Sequence, residues 1–405
     1  MKNPVTTFAS AATLLGALLV QPATAQIAVK VGVLADMSGL YADIGGSGAV
    51  DAVRLAIEDF KPADQGMTVD VVSADAQNKP DIAVAISRKW FDTENVDVLV
   101  DVPTSAISLA VANVVKDKNK VALFTASGSS DLSGKGCTPN TIHWTYDTWA
   151  LAHGTGTAIT KNGGKKWFFL VADYAFGQAL ERDASTVVKE NGGTVLGSVR
   201  HPLDTKDFSS FMLQAQASKA EIIGLANGGG DTINSIKSAS EFGLVQSGQK
   251  LAGMLIFISD IHSLGLKAAQ GLLLTTAFYW DLNDKTRAFG ERFAKRNNGR
   301  FPSMTQAGTY SATLAYLAAV KATGSTKDGA ALVKAIRDRG TFDDPLFGKT
   351  SVRIDGRAIH DMYLVEVKKP EESKKPFDYY KVVSTIPAAE AFRPLNEGGC
   401  PMVKM

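Results

Sequence analysis

The chain has 405 residues, of which 45% are hydrophobic and 21% charged. This composition is typical of globular proteins, and the length predicts two or three domains. Its 43 basic and 41 acidic residues give a formal net charge of +2, and no basic patch is interleaved with aromatic residues, which argues against nucleic acid or an anionic membrane as a partner.

The first 25 residues have the pattern of a secretory signal peptide. Lys2 supplies a short positive region, residues 9–20 are apolar, and Ala23-Thr24-Ala25 forms a cleavage site before Gln26. No cysteine follows that site, so a lipid anchor is not expected. The sequence therefore predicts an exported protein.

Export also decides how the two cysteines are interpreted. Cys137 and Cys400 lie in loops rich in glycine and proline. In an oxidising compartment, two loop cysteines predict a disulfide rather than a metal pair. Two unpaired thiols are the alternative.

The mature chain begins with strands and helices in alternation. Apolar runs predict strands at 29–36, 67–74, 96–102 and 121–124, and apolar residues at helical spacing predict helices at 49–60, 80–92 and 105–116. Such alternation predicts a parallel sheet that is covered by helices on both faces.

Residues 140–147, NTIHWTYD, interrupt this pattern before it restarts. The second series has predicted strands at 166–172, 194–200, 221–226, 251–258 and 271–277, and predicted helices at 149–160, 178–190, 208–217 and up to 242. Two series of this kind predict two similar lobes. We expect the helices at 285–296, 306–322 and 330–339 to pack on the first lobe. The tail strands at 350–354, 362–367 and 379–384 should add a hairpin with a charged tip to the second.

Two turns at predicted strand ends concentrate small hydroxyl residues. Thr104 and Ser105 follow one strand, and Ser127 and Ser129 follow the next. The carboxyl ends of neighbouring parallel strands lie side by side, and hydroxyls with free N–H groups at a helix N-terminus suit an anion, a carboxylate above all. Ordinary helix caps and turn formers are the alternative interpretation.

Sequence patterns of enzymes are missing. The chain has no nucleophile elbow, no metalloprotease motif and no P-loop, and Gly45-Gly46-Ser47-Gly48 lacks the third glycine of a dinucleotide fingerprint. The five histidines are scattered without metal-ligand spacing. We therefore expect no catalytic residues, no metal site and no cofactor.

Three stretches carry a resemblance to a known family. VKVGVLADMSGLYADIGGSGAVDAVRLAIEDF, DYAFGQAL and DFSSFMLQAQASKAEIIGLANGG resemble type 1 periplasmic solute-binding proteins of branched-chain amino-acid ABC transporters. The resemblance extends over about 27–384. It implies an α/β fold of two Rossmann-like lobes with parallel sheets, joined by a three-strand hinge that closes on ligand.

The resemblance also implies a division of the chain and a set of partners. Residues 26–146 plus 277–350 would form the N-terminal lobe, 147–276 plus 351–386 the C-terminal lobe, and 387–405 a tail, with crossovers near 146, 276 and 350. A family member of this kind is a periplasmic monomer that does no chemistry and delivers a small-molecule ligand to an ABC permease.

Site residues follow from the same resemblance. By position, a ligand carboxylate would be held by Thr104, Ser105, Ser127 and Ser129. Apolar contacts after the MSG motif correspond to Tyr41 or Ile44, and the aromatic residue of the second lobe corresponds to Phe176, for which core packing is the alternative.

One departure bears on the ligand. Amino-acid-binding members carry an acidic residue on the second lobe for the ligand ammonium, whereas the corresponding stretch here, 253–258, has no acid before Asp260. A buried ammonium without a partner is heavily penalised. Phe257 and other aromatics offer stacking surface instead.

We therefore predict a carboxylate without an α-ammonium, such as a benzoate, hydroxycinnamate or arylpyruvate. Tyr146 or Asp147 would contact a ring hydroxyl. A branched-chain or other amino acid is the alternative, with Asp231 meeting the ammonium. A ligand sensor for a signalling receptor and a secreted hydrolase are further alternatives.

Overall fold

A computed structural model describes residues 26–404, so the predicted signal peptide at 1–25 lies outside the described residues. Two parallel sheets dominate this part of the chain. Most successive strands of each sheet are connected by α-helices, as is usual for parallel pairing, and a 3-10 turn at Ser130–Ser133 lies between the last two strands of the first sheet. The predicted α/β fold with two lobes is confirmed.

The first sheet holds the two predicted hydroxyl turns. Its strands are β1 (Ile27–Ala35), β2 (Met67–Asp75), β3 (Val98–Asp101), β4 (Val121–Phe124) and β5 (Thr141–His143), and its connecting helices are α1 (Gly46–Phe60), α2 (Pro80–Thr93) and α3 (Ser105–Asp117). The strands are parallel in the order β2-β1-β3-β4-β5. Because β3 pairs directly with β4, the turns that follow these two strands are neighbours.

The second sheet has four parallel strands in the second lobe. They are β6 (Lys166–Ala172), β7 (Thr194–His201), β8 (Ile222–Ala226) and β9 (Lys250–Gly253), in the order β7-β6-β8-β9. The helices of this lobe are α4 (Thr148–Leu151) and α5 (Thr157–Lys161), which are joined by a π-helical turn, then α6 (Ala175–Glu190), α7 (Ser209–Ala217), α8 (Gly230–Glu241), α9 (Ile258–Leu264) and α10 (Leu266–Ala269).

The predicted strand at 251–258 is wrong in its second half. β9 ends at Gly253 and α9 begins at Ile258. The Asp260 carboxylate accepts the Phe257 N–H at 2.9 Å, which caps the new helix. Residues 254–258 are nevertheless buried, so the apolar run reported burial correctly but not the backbone conformation.

The three helices of the third part return to the first lobe, which confirms that expectation. They are α11 (Asp284–Arg296), α12 (Met304–Thr323) and α13 (Gly329–Asp338). Tyr316 and Val320 of α12 share a buried core with Val31 and Val100 of the first sheet. On the surface, Arg292 donates two hydrogen bonds to Asp59 of α1, each 2.8 Å long.

The tail hairpin forms a sheet of its own. Six further strands, β10 (Leu273–Thr276), β11 (Phe342–Asp344), β12 (Gly348–Val352), β13 (Ala358–Ile359), β14 (Met362–Val367) and β15 (Tyr380–Ile386), are followed by the short helix α14 (Ala388–Ala391). The hairpin β14–β15 pairs with β10 in an antiparallel sheet. The hairpin packs on the core of the second lobe, which agrees with the expectation that it adds to that lobe. It does not extend the parallel sheet.

The chain passes between the lobes after β5, after β10 and after β13. Val352 and Ala358 still belong to the first-lobe core, so the third passage follows them. Buried Arg357 supports the first passage, since it donates to the carbonyl oxygens of His143 and Tyr146 at 2.9 and 3.2 Å. The residue ranges assigned to each lobe stay a prediction.

The predicted disulfide is confirmed. Cys137 and Cys400 are bonded, and 263 positions separate them in the sequence. The bond ties the end of the tail to a loop of the first lobe. Arg393 adds a second tie by donating to the Ser130 carbonyl oxygen at 2.9 Å.

Candidate functional site

A cavity lies between the lobes, at the carboxyl end of the first sheet. Its volume is about 20 Å³. It is lined by Tyr41, Ile44, Gly45, Asp101, Pro103, Thr104, Ser105, Ala126, Ser127, Gly128, Tyr146, Tyr174, Phe176, Leu255 and Phe257. Both lobes contribute walls, which is the geometry of a site that closes by hinge motion.

Most of the predicted ligand-binding residues meet in this cavity. The predicted residues in its lining are Tyr41, Ile44, Thr104, Ser105, Ser127, Tyr146, Phe176 and Phe257. They come from distant parts of the chain, and the fold brings their hydroxyl and aromatic groups to one place. Their contacts with a ligand stay a prediction.

Ser129 and Asp147 lie outside the lining, which differs from what the sequence suggested. The Ser129 N–H donates to Ser105 Oγ at 2.9 Å, so this residue joins the two hydroxyl turns. The Asp147 carboxylate caps α4 by accepting the Ala150 N–H at 2.8 Å, and it lies 3.4 Å from Arg357. Both residues support neighbouring backbone.

The hydroxyl side of the cavity is built on the start of α3. Thr104 is the N-cap residue, and its hydroxyl oxygen accepts the Ile107 N–H at 3.4 Å. Ser105 begins the helix, so the positive end of the helix dipole borders the cavity. Ser127 reaches the same place from the turn after β4, with its Oγ 2.6 Å from Ser108 Oγ. Hydroxyls and a helix N-terminus make this side suitable for an anion.

His143 orients the turn that carries Ser127. Its Nε2 lies 2.8 Å from the Ser127 carbonyl oxygen, which can only accept, so this nitrogen carries the proton. Burial, with the charge of Arg357 nearby, lowers the pKa of His143 well below its usual value. The imidazole is therefore neutral and acts as a support for the turn.

The opposite walls are aromatic. The hydroxyls of Tyr41 in the first lobe and Tyr174 in the second are 2.7 Å apart and hydrogen-bonded. The rings of Tyr146 and Phe257 meet edge to face with centroids 6.1 Å apart. Phe176 lies beside Tyr174, also at 6.1 Å. Such rings offer flat apolar surface to a planar ligand.

Two glycines allow the lobes to approach this closely. A Cβ at Gly128 would lie 2.6 Å from the Tyr146 ring and 2.9 Å from the Phe176 ring. A Cβ at Gly229, in the second lobe, would lie 2.9 Å from the Leu40 carbonyl oxygen in the first. Side chains at either position would push these walls apart.

Sequence reasoning missed Asp101 and Tyr174. Tyr174 stands two residues before Phe176 in the DYAFGQAL segment, so its proximity in sequence could have identified it. Asp101 ends the apolar run of β3 and carries no motif, and nothing in the sequence indicates that its carboxyl group faces a cavity. Burial, with a smaller contribution from the nearby charge of Asp36, raises the pKa of Asp101 to about 8.

The second lobe presents Leu255 to the cavity. It belongs to the stretch 253–258, which has no acidic residue. Asp260 and Asp231 are buried but do not line the cavity. Asp260 caps α9, and Asp231 accepts the Asp204 N–H at 3.2 Å. Burial raises the pKa of both carboxyls to about 7.

Two further searches bear on the class of site. Between residues 26 and 404, no three His, Cys, Asp or Glu side chains form a group that could hold a metal ion. None of the helices in the part of the chain that the structure describes is both long and apolar enough to span a membrane.

A family model described as periplasmic binding protein matches residues 28–375. Among solved structures, a periplasmic binding protein from Burkholderia mallei is 50% identical, with a TM-score of 0.89 over 93% of this chain and 99% of that one. A branched-chain amino acid ABC transporter periplasmic ligand-binding protein from Burkholderia xenovorans is 43% identical, with a TM-score of 0.81 over 92% and 99%. An R. palustris solute-binding protein in complex with 4-hydroxybenzoate is 22% identical, with a TM-score of 0.80 over 89% and 97%, and shares the fold.

Proposed function

We propose that this chain, which belongs to the periplasmic binding protein family, is the substrate-binding component of an ABC importer. It captures a small aromatic carboxylate between its two lobes. The observation that carries this proposal is the composition of the cavity. One side consists of hydroxyls at a helix N-terminus, and the other consists of aromatic rings and Leu255. A benzoate, hydroxycinnamate or arylpyruvate combines the two chemistries that these sides offer.

The carboxylate is assigned to the hydroxyl side. Thr104, Ser105 and Ser127 can each present a hydroxyl to one anionic group, and the dipole of α3 adds a favourable field. Hydrogen bonds to an ionised acceptor are stronger than neutral ones. This side therefore supplies affinity without requiring a cationic side chain.

The ring is assigned to the aromatic side. Tyr146, Phe176 and Phe257 are almost fully buried, so a planar ligand that replaces their mutual contacts keeps apolar surface away from water. Leu255 offers no charge to an ammonium. The ammonium of an α-amino acid would therefore find no acidic partner on the second lobe.

Capture requires a change of conformation. A space of about 20 Å³ is close to the minimum of about 10–15 Å³ that a single water molecule needs. A ring ligand therefore enters only when the lobes and the aromatic side chains have moved apart. The ligand then drives closure because it contacts both lobes only in the closed state.

The remaining assignments follow from the family. We infer export through the signal peptide at 1–25, a periplasmic location, a monomeric protein without catalytic activity, and an ABC permease as the partner that receives the ligand.

A branched-chain or other amino acid is the second candidate, and Asp101 is the observation that favours it. This buried carboxyl group lines the cavity and could pair with a ligand ammonium from the first lobe. The relative from Burkholderia xenovorans is described as a branched-chain amino acid transporter component.

A thermal-shift panel on the ligand-stripped mature protein tests the ligand class. Aromatic acids at about 100 times their dissociation constant should stabilise the protein by about 2.7 kcal/mol. Leucine, isoleucine and valine should leave the midpoint unchanged. A midpoint that rises with amino acids alone would refute the aromatic assignment and leave the family assignment intact.

A pair of serine variants tests the anion side. Ser127→Ala should weaken binding of the ligand found in the panel by about 1–3 kcal/mol, or about 5- to 150-fold, because a carboxylate oxygen loses a donor. Ser133→Ala is the matched control, since Ser133 is also buried but does not line the cavity. Equal affinities in calorimetry for the two variants would contradict the anion site.

A further inference from the structure

Asp101 is the side chain of the cavity that the family resemblance did not anticipate. It is fully buried and lines the cavity. Within residues 26–404, neither of its carboxyl oxygens has a hydrogen-bond partner. Buried polar groups are almost always paired, so this carboxyl group is available to a ligand.

The backbone around Asp101 is held in an uncommon conformation. Asp101 has φ +74° and Val102 has φ +57°, and both are left-handed values that non-glycine residues rarely adopt. Such conformations cost free energy and are concentrated at ligand sites, where the surrounding structure imposes them. The Asp101 carbonyl oxygen also accepts the N–H groups of Thr125 and Ala126, at 3.2 and 3.1 Å, which ties this turn to the second hydroxyl turn.

Among the side chains that the structure describes, no cation compensates the charge of Asp101. The charged side chain that acts on it most directly is Asp36, at the end of β1, and this like charge disfavours ionisation. The titratable groups that share the cavity with it are the hydroxyls of Tyr41, Tyr146 and Tyr174. The hydroxyl groups of α3 and β4 on this side carry no charge.

Ionisation of Asp101 is therefore unfavourable. A buried carboxylate without a partner is strongly penalised, and burial raises the pKa of this group to about 8. Below that pH, the group is a carboxylic acid that has one O–H to donate. The adjacent turn begins three residues later with Thr104 and Ser105, which we have assigned to the ligand carboxylate.

We propose that Asp101 binds the ligand carboxylate as a protonated acid, donating its O–H to one ligand oxygen, so that binding is linked to one proton. The inference rests on the proposed function, because it requires an anionic ligand without an ammonium. Two carboxylates that lie side by side in a dry site share one proton, since both cannot ionise. Asp101 thereby becomes a specificity-determining residue that selects the ligand's acid group.

The linkage makes affinity depend on pH. Below about pH 8, the proton is already on Asp101 and binding needs no exchange with solvent. Above about pH 8, each binding event takes up a proton, so the affinity should fall about tenfold per pH unit. A ligand ammonium at the same place would have the opposite effect, because it would favour the ionised carboxylate and release a proton.

Calorimetry of the mature protein with benzoate, whose only titratable group is the carboxylate, from about pH 6 to about pH 10, tests the inference. L-leucine serves as the second probe. Titrations in buffers of different ionisation enthalpy measure the number of protons exchanged. The wild type should take up about half a proton at pH 8 and close to one at pH 10.

Two variants sharpen the test. Asp101→Asn keeps the shape and a donor but cannot ionise, so it should bind benzoate with an affinity that does not change above pH 8. Asp344→Asn is the matched control, because Asp344 is buried but lies outside the cavity lining. It should keep the wild-type pH profile. If Asp101→Asn does not fold, the proton count of the wild type decides alone.

Each outcome separates the inference from the function on which it rests. Binding of benzoate without proton uptake, or with the wild-type pH profile in Asp101→Asn, would overturn the role of Asp101 and leave the aromatic-acid assignment standing. Binding of L-leucine with proton release would overturn both. If neither probe binds, the same proton count is made with the acid that the thermal-shift panel identifies. If no aromatic acid in that panel binds, the assigned ligand class fails and the inference falls with it.

Discussion

The hydrogen bond between Tyr41 and Tyr174 joins the two lobes directly across the cavity. The hydroxyl oxygens are 2.7 Å apart, and Tyr41 is only 9% exposed. In an open protein, both hydroxyls would be hydrated. Tyr174→Phe should therefore destabilise the closed state and leave the open state almost unchanged.

The magnitude follows from what the substitution leaves behind. A typical hydrogen bond contributes a net 0.5–1.5 kcal/mol, roughly, but a buried hydroxyl without a partner costs about 1–3 kcal/mol. Tyr174→Phe leaves the Tyr41 hydroxyl buried and without a hydrogen-bond partner in the closed state. We expect the closing equilibrium, and with it ligand affinity, to fall by about 5- to 150-fold. The double variant Tyr41→Phe/Tyr174→Phe removes both polar groups and should recover part of the loss.

Calorimetry on the two single variants and the double variant measures the coupling as a double-mutant cycle. X-ray scattering of the ligand-bound proteins reports whether they close. Tyr310→Phe is the control, because the Tyr310 hydroxyl donates to Asp59 within the first lobe and should not affect affinity. If the losses of the two single variants simply add in the double variant, the hydroxyls do not act as a pair and the reasoning is refuted.

Three further predictions concern stability. Thr104→Ala should lower the free energy of unfolding in urea by about 1 kcal/mol, because the Ile107 N–H loses its cap, whereas Thr104→Ser should not; equal losses would exclude the cap as the cause. Cys137→Ser/Cys400→Ser removes a cross-link over 263 positions and should lower the free energy of unfolding by up to about 5 kcal/mol. Calorimetric midpoints of the wild type that match with and without reductant would contradict this. In the folded protein the pKa of Asp101 is about 8, which is higher than in the unfolded chain, so the folded state holds its proton more tightly. The wild type should therefore lose stability relative to Asp101→Asn as pH rises from about 4 to about 8. A stability difference that is constant over that range would show that Asp101 does not titrate as described.

Much of the fold was predictable because local periodicity reports burial. The strands at 121–124, 166–172 and 362–367 have the predicted bounds, since each is a short apolar run between clear turns. The run at 251–258 was misassigned for the same reason. Its residues are buried throughout, but the chain turns after Gly253 and a helix begins at Ile258, and an apolar run does not distinguish a strand from a buried turn.

The hydroxyl turns were found because a rule of α/β topology places the ends of neighbouring parallel strands side by side. That rule does not say where each side chain points. Thr104, Ser105 and Ser127 line the cavity, whereas Ser129 lies outside it although it has the same chemistry. Its N–H donates to Ser105 Oγ, a contact that depends on how the two turns pack.

The sequence by itself determined the two alternating αβ series, the disulfide and the position of two hydroxyl turns at one edge of the first sheet, because these depend on residue type, on spacing and on general rules of topology. The tertiary structure alone decided which groups are left without partners. Asp101 is chemically ordinary in the sequence, and its raised pKa arises from desolvation by elements far away in the chain. Tyr41 and Tyr174 are 133 positions apart, and only the fold brings their hydroxyls together across the cavity. Burial and pairing are properties of the assembled surroundings, so the residues that face the cavity without a partner become visible only in the folded molecule.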